Sequence, residues 1–253
     1  MVSTIISVDG NIGSGKSTLV SILKCHYKCD VVVLTEPVDS WNDIKEDETD
    51  ENIISKFYKD KDRYSFSFQM LALITRISEI RKVIKTNPKA VIITERSIDT
   101  DRNVFCKMLY DEGYINEIEY KIYMKCYNEF IDEFPTAGTI YLYTSPSVCH
   151  KRILLRNRKG ENIDINYLEK CSEYHDNWLK TSHNLFIKLD GNIDIYKSPI
   201  LIRGWIKQIS GFLETFAQSQ NQKKIFTYYH NYPYETYIKH IQEEIEEEQD
   251  IEY

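Results

Sequence analysis

The chain has 253 residues and a formal net charge of −7, enough for one α/β domain with a substantial core. All seven surplus negative charges fall in residues 240–253, which leaves residues 1–239 balanced at 32 basic against 32 acidic side chains. That balance argues against nucleic-acid binding, which calls for a basic excess or stripe, and no run approaches the roughly eighteen apolar residues of a membrane span.

Short β-branched runs alternate with stretches of helical period. Residues 4–8 predict a first strand, followed by a glycine-rich turn and an amphipathic helix from 16 to about 28. Residues 31–34 predict a second strand, and an acidic, turn-like segment over 42–51 precedes a helix near 53–59. Residues 63–85 have the period of a long helix, stopped by Asn87-Pro88. Residues 90–93, 139–143 and 185–189 predict strands three to five, with helical patterns near 101–110, 116–133, 146–156, 165–181 and 197–217. Short apolar strands separated by helices predict a parallel sheet covered on both faces, in one domain over 1–217. Residues 218–253 are rich in Gln, Tyr and Glu and read as a C-terminal extension with a solvated or disordered acidic end.

The six cysteines (Cys25, Cys29, Cys106, Cys126, Cys149, Cys171) form no C-x-x-C pair and no zinc spacing with histidine, so free thiols in a reducing compartment are expected. Met1 precedes a strand-like run with no room for a basic leader, so the expected location is cytoplasmic.

Gly10-Asn11-Ile12-Gly13-Ser14-Gly15-Lys16-Ser17 satisfies G-x-x-x-x-G-K-[ST] between a predicted strand and a predicted helix. Glycines let backbone N–H groups turn inward as an anion nest, and the helix presents its positive end to phosphate. Lys16 would reach the β- and γ-phosphates of ATP and the Ser17 hydroxyl a Mg²⁺ ion, with Thr18 next along the helix start. This establishes nucleotide binding but not a reaction.

Three further constellations bear on the reaction. Thr35-Glu36-Pro37 closes the second strand, and Pro37 breaks strand pairing so that the Glu36 carboxylate can turn out at the sheet edge. There it could accept a proton from an attacking hydroxyl; a strand-end Glu taken alone would be structural. Thr94-Glu95-Arg96-Ser97 closes the third strand and offers a charge for phosphate and a carboxylate for Mg²⁺; alone, it would be a surface ion pair. Arg152 and Arg156 share a helix face, with Arg158 just beyond. An arginine-rich lid of this kind neutralises transferred phosphate and excludes water, although a solvated basic face has the same pattern.

Together these residues resemble the deoxyribonucleoside kinase family, which contains deoxycytidine, deoxyguanosine and insect-type deoxynucleoside kinases. The similarity runs in order from about residue 5 to 213. Its marks are the phosphate loop, Glu36-Pro37-Val38 with Trp41, Phe68-Gln69 with Arg76, and Glu95-Arg96-Ser97 followed by Asp101-Arg102 and Phe105. They continue with Arg152, Arg156 and Arg158, then Tyr167-Leu168-Glu169-Lys170 leading to Trp178-Leu179. The resemblance implies an α/β P-loop kinase with a five-stranded parallel sheet flanked by helices, an arginine-rich lid, and a homodimer built from two long helices per subunit. It implies transfer of the γ-phosphate of ATP to the 5′-hydroxyl of a deoxynucleoside, with Mg²⁺, in nucleotide salvage. By the same resemblance Glu36 is the general base, Arg96 lies near the 5′-oxygen and transferred phosphate, and Ser17 and Glu95 hold Mg²⁺. Tyr58 and Glu161 bind the sugar 3′-hydroxyl, Trp41 and Phe105 wall the base, Gln69 pairs with its edge, and the loop 190–195, with Asp194 and Ile195, contacts the adenine of ATP. The chain departs from the family pattern in a lid one residue shorter between Arg158 and Tyr167, in an acidic segment over 44–52, and in the tail after about Phe216.

Arg76 lies two helical turns after Gln69 and points into the same pocket, where Asp101 resembles its partner in members that accept deoxycytidine and purine deoxynucleosides. A carboxylate there accepts a hydrogen bond from an exocyclic amine, which thymine lacks, so deoxyadenosine, deoxyguanosine or deoxycytidine is expected over thymidine. Two alternatives share the phosphate loop. A nucleoside monophosphate kinase of the thymidylate kinase type needs extra cations for the acceptor phosphate. A non-catalytic nucleotide-binding subunit or GTP switch would lack use for the base, Mg²⁺ carboxylate and lid, and no guanine-reading N-K-x-D is present.

Overall fold

Strands β1 (Thr4–Asp9) and β3 (Val91–Glu95) are buried along their whole length, the mark of strands covered on both faces. With β2 (Val31–Leu34), β4 (Thr136–Tyr143) and β5 (Leu185–Asp190), they form one sheet of order β2-β3-β1-β4-β5. Every pairing in it is parallel. The computed structural model describes residues 3–27, 31–88, 90–158, 160–195, 198 and 200–217; the extension expected over 218–253 lies outside them.

The helices are α1 (Lys16–His26), α2 (Val38–Asn42), α3 (Ile53–Lys59), α4 (Lys61–Thr86), α5 (Ile98–Thr100), α6 (Lys107–Asp111), α7 (Glu117–Phe130), α8 (Pro146–Arg156), α9 (Ile165–Thr181) and α10 (Ile200–Ala217), with a π-helical turn over Asp101–Cys106 between α5 and α6. Side chains alternate across the sheet with a period of two, and this divides the core. Ile6, Val8 and Ile93 turn toward Leu23 of α1 and Trp205 and Ile209 of α10. Ile5 and Ile92 turn the other way, toward Leu73 and Ile77 of α4, Tyr123 of α7 and Leu168 of α9. Each such fully buried aliphatic side chain stabilises the fold by about 1.5–3 kcal/mol. The expected α/β architecture, a five-stranded parallel sheet flanked by helices, is the observed one.

Two local features differ from expectation. The short helix α2 was not expected, because five residues are too few to show a period; Pro37 stands at its N-terminal boundary. The acidic stretch behind it folds back through a bridge between Lys45 and Asn52, and Lys56 and Lys59 return charge to Glu46 and Glu51. The helix expected over 101–110 starts earlier and is not regular. Ser97 and Thr100 form a capping box, and the π-helical turn follows directly. Such turns are rare and concentrate at functional sites.

Among the described residues, no helix is long and apolar enough to cross a membrane. Among the described residues, Cys106, Cys126, Cys149 and Cys171 are free thiols; Cys29 lies outside the described residues. Burial pushes Cys149 up to about 11 and Cys171 up to about 12, so both stay protonated and unreactive at neutral pH.

Candidate active site

The carboxyl ends of β1, β2 and β3 deliver the charged groups to one place, as parallel sheets do. The phosphate loop leaves β1 and enters α1 at Gly15, whose φ is 97°. At Gly13 the φ is 75°, and an added Cβ would stand 2.7 Å from the carbonyl oxygen of Cys149, so only glycine fits. Asn11 ties the loop to α9, its Nδ2 donating to the Leu168 carbonyl at 2.7 Å. Lys16 is buried and donates to the Asn11 carbonyl at 2.8 Å. Burial, reinforced by the charge of Arg96, lowers its pKa to about 8.

Glu95, at the end of β3, accepts from the Ser17 hydroxyl at 2.8 Å and, more weakly, from the Glu36 backbone N–H at 3.4 Å. The Glu36 carboxylate faces two guanidiniums, Nε of Arg96 at 3.1 Å and Nη2 of Arg76 at 3.3 Å. Burial alone would raise the Glu36 pKa. Arg96, Arg76 and Lys16 outweigh it and hold the carboxylate below the ordinary glutamate range.

Arg96 itself has a φ of 64°, a left-handed conformation that costs a residue of this kind about 1–3 kcal/mol. Its surroundings over-determine it. The backbone N–H donates to Val8 at 3.0 Å, Nη1 donates to the Gly10 carbonyl at 2.9 Å, and the guanidinium lies 4.6 Å from the Phe105 ring centroid.

On the side away from the phosphate loop, Arg76 makes a two-pronged pair with Asp101, at 2.8 and 3.2 Å, and donates to the Glu95 carbonyl at 2.5 Å. Gln69 is buried seven residues earlier on α4, and among the described residues its amide has no hydrogen-bond partner. Trp41 packs edge-on to Phe68 with centroids 5.4 Å apart and donates its indole N–H to Thr75 at 2.9 Å. Tyr58 is pushed above the ordinary tyrosine range, first by burial and then by the negative charge of Glu161.

The expected lid arginines divide. Arg152 donates to the carbonyls of Ser14 at 3.0 Å and Gly191 at 2.9 Å, and so joins the phosphate loop to the loop after β5. Arg156 pairs with Glu161 at 2.6 Å. Arg158 is half-buried, and among the described residues its side chain has no ion pair. Of the loop residues expected near adenine, Ile195 sends its side chain into the core beside α10, leaving its backbone for any ligand contact; the Asp194 carbonyl accepts from Ser198 at 3.1 Å. Thr18 is half-buried on α1.

Sequence reasoning missed Asp9 at the end of β1. It is fully buried, the Thr100 hydroxyl donates to its Oδ1, and among the described residues its Oδ2 has no partner. Burial raises its pKa. An acid directly before the first glycine of the loop was the available signal. His175 was missed as well; it sits edge-on behind Phe105 with ring centroids 6.2 Å apart.

A model of the deoxynucleoside kinase family matches residues 6–214. The chain is 34% identical over 238 residues to a probable deoxycytidine kinase of Fowlpox virus (strain NVSL), covering 92% of this chain and 89% of that one. It is 36% identical over 194 residues to the deoxycytidine kinase of Homo sapiens, covering 69% of this chain and 74% of that one. With the mitochondrial deoxyguanosine kinase of Xenopus laevis it shares 31% over 192 residues, 69% of this chain and 72% of that one. A match along most of its length, and relatives above 30% identity over two thirds or more of it, settle the assignment: the chain belongs to the deoxynucleoside kinase family.

Proposed function

We propose that the protein transfers the γ-phosphate of ATP to the 5′-hydroxyl of a deoxynucleoside, giving the 5′-monophosphate by which free deoxynucleosides return to the nucleotide pool. The observation that carries this reading is the carboxylate of Glu36 held between Arg96 and Arg76, beside the Ser17–Glu95 pair of the phosphate loop. The 5′-oxygen bonds to the γ-phosphorus, the bond from phosphorus to the β–γ bridging oxygen breaks, ADP leaves, and the hydroxyl proton passes to Glu36. A carboxylate held below its ordinary range is a weak base. It orients the hydroxyl and takes the proton late, which suits a loose phosphoryl-transfer transition state in which the nucleophile needs little activation. Lys16, Arg96 and Arg152 neutralise the transferred group, and Arg156 and Arg158 close over it as lid residues.

Ser17 and Glu95 fit Mg²⁺. Their oxygens converge within 2.8 Å, and among the described residues there is no group of three or more His, Cys, Asp or Glu that would make an all-protein cage. Mg²⁺ takes one or two protein oxygens and fills its shell with phosphate and water; bound there, it would neutralise charge on the triphosphate.

For the acceptor, Tyr58 and Glu161 hold the sugar 3′-hydroxyl, Trp41 and Phe105 flank the base, and the unpartnered Gln69 amide pairs with its edge. Arg76 and Asp101 favour bases with an exocyclic amine, hence deoxyadenosine, deoxyguanosine or deoxycytidine over thymidine; two relatives bear the names deoxycytidine kinase and deoxyguanosine kinase. Both arginines at the acceptor end are already paired with acids, which favours a nucleoside over a nucleotide acceptor. The test is turnover of each of the four deoxynucleosides and of dTMP with Mg·ATP. The reading expects the amine-bearing deoxynucleosides to lead; thymidine at or above all three overturns the base preference, and dTMP as best substrate overturns the acceptor class.

We also propose a homodimer through α4 and α7. Ile74 on α4 and Ile118 and Ile122, one turn apart on α7, are large apolar side chains left 47%, 71% and 45% exposed, and apolar groups of this size gain from burial against a second copy.

A further inference from the structure

The lid does not simply hang over the site; its backbone lands on the helix that carries Tyr58. Gly160 has a φ of 79°, and an added Cβ would stand 1.8 Å from Oγ and 2.7 Å from Cβ of Ser55, with the Ser55 Cα at 3.2 Å. No side chain can intervene, so the peptide of Gly160 rests directly on α3. The approach is built by a tight descent from α8. Asn157 ends that helix with a φ of 49°, and the Glu161 backbone N–H closes the turn onto the Arg158 carbonyl at 3.1 Å. One turn before that end, α8 is fixed to the phosphate loop through Arg152.

The landing point on α3 is equally fixed. Ser55 stands three residues before Tyr58, and its backbone N–H is held by the Asn52 side chain at 2.9 Å. The residue after Gly160 is Glu161, whose side chain is only 8% exposed and paired with Arg156, and whose charge bears on Tyr58. The Ser55 hydroxyl makes no hydrogen bond among the described residues, so the contact is one of shape.

We infer that Ser55 and Gly160 are positioning residues: their contact sets how deeply the lid closes and so places Glu161 beside Tyr58, where the sugar 3′-hydroxyl is bound. The inference rests on the proposed sugar-binding role of Tyr58 and Glu161. It makes recognition of the 3′-hydroxyl on the acceptor side depend on the same closed lid that covers the phosphates. A glycine at 160 is needed twice, for its left-handed backbone and for its missing Cβ.

The decisive variant is Ser55→Leu, which fills the landing point from the α3 side without changing the backbone of Gly160 or the Asn52 cap. Deoxynucleoside and 2′,3′-dideoxynucleoside kcat/KM values give the discrimination for the 3′-hydroxyl. Trypsin cleavage after Arg156 and Arg158, in the presence of Mg·ATP and deoxynucleoside, reports lid closure independently of activity. Ser55→Leu is expected to melt as the parent does, to lose about tenfold of its 3′-hydroxyl discrimination, one hydrogen-bonding interaction's worth, and to be cleaved in the lid where the parent is protected. Unchanged discrimination and protection in Ser55→Leu, with the parent discriminating normally, would overturn the inference alone. A parent that phosphorylates both sugars equally well would overturn the reading of Tyr58 and Glu161 and the inference with it.

Discussion

At the scale of single residues, the centre of the site is a set of paired charges, with Glu36 between Arg96 and Arg76 and Arg76 also held by Asp101. Lys16 is the buried cation of the phosphate loop. With its pKa lowered to about 8, it is about half protonated at that pH, and a bound triphosphate favours the charged form and raises the pKa again. ATP binding near pH 8 is therefore expected to take up about half a proton, and less as the pH falls and Lys16 is already charged. Calorimetry in buffers of different ionisation enthalpy measures this uptake. Lys16→Met should abolish it, and uptake that persists in that variant would place the proton elsewhere. Glu36 was legible in the sequence because a proline followed it at a strand end. Its link to Arg76, across α4, was not legible, because nothing local relates residues 36 and 76.

At the scale of elements, the acceptor side depends on α4 and the π-helical turn meeting. The helical repeat along α4 puts Gln69 and Arg76 on one face, and both are buried. The turn over Asp101–Cys106 brings Asp101 to Arg76 and Phe105 under Arg96. Asp101→Asn keeps the size of the side chain but loses one acceptor. It is expected to narrow the ratio of kcat/KM between the best amine-bearing deoxynucleoside and thymidine by about tenfold or more, read from the two substrates in competition. A ratio that stays put would mean that Asp101 serves only to hold Arg76. The long helix and the strand ends were legible from periodicity and from Gly, Pro and Asn punctuation. The π-helical turn and α2 were not, since one is an irregularity of hydrogen bonding that directly follows the Ser97–Thr100 cap, and the other is shorter than any period.

At the scale of the molecule, strand identity was legible but strand order was not. Alternating short apolar runs announce a parallel sheet; the order β2-β3-β1-β4-β5 depends on crossovers that composition does not encode. That order places β1 between β3 and β4, so the phosphate loop opens beside Glu95 and Arg96 and not at an edge. The exposed isoleucines of α7 belong to this scale too. Ile118→Glu with Ile122→Glu is expected to halve the mass seen by light scattering in solution, from twice the chain mass to once. A parent already at a single chain mass would refute the proposed dimer.

The central claim is that Glu36 receives the proton of a deoxynucleoside 5′-hydroxyl during phosphoryl transfer from ATP. The measurement that tests it most directly is single-turnover formation of the 5′-monophosphate by the parent and by Glu36→Gln, with the best deoxynucleoside and Mg·ATP both saturating. The account predicts a loss of about 10²–10⁴ in rate, the usual worth of a positioned base, with ATP affinity little changed. A Glu36→Gln protein that forms monophosphate within a few-fold of the parent rate would contradict it.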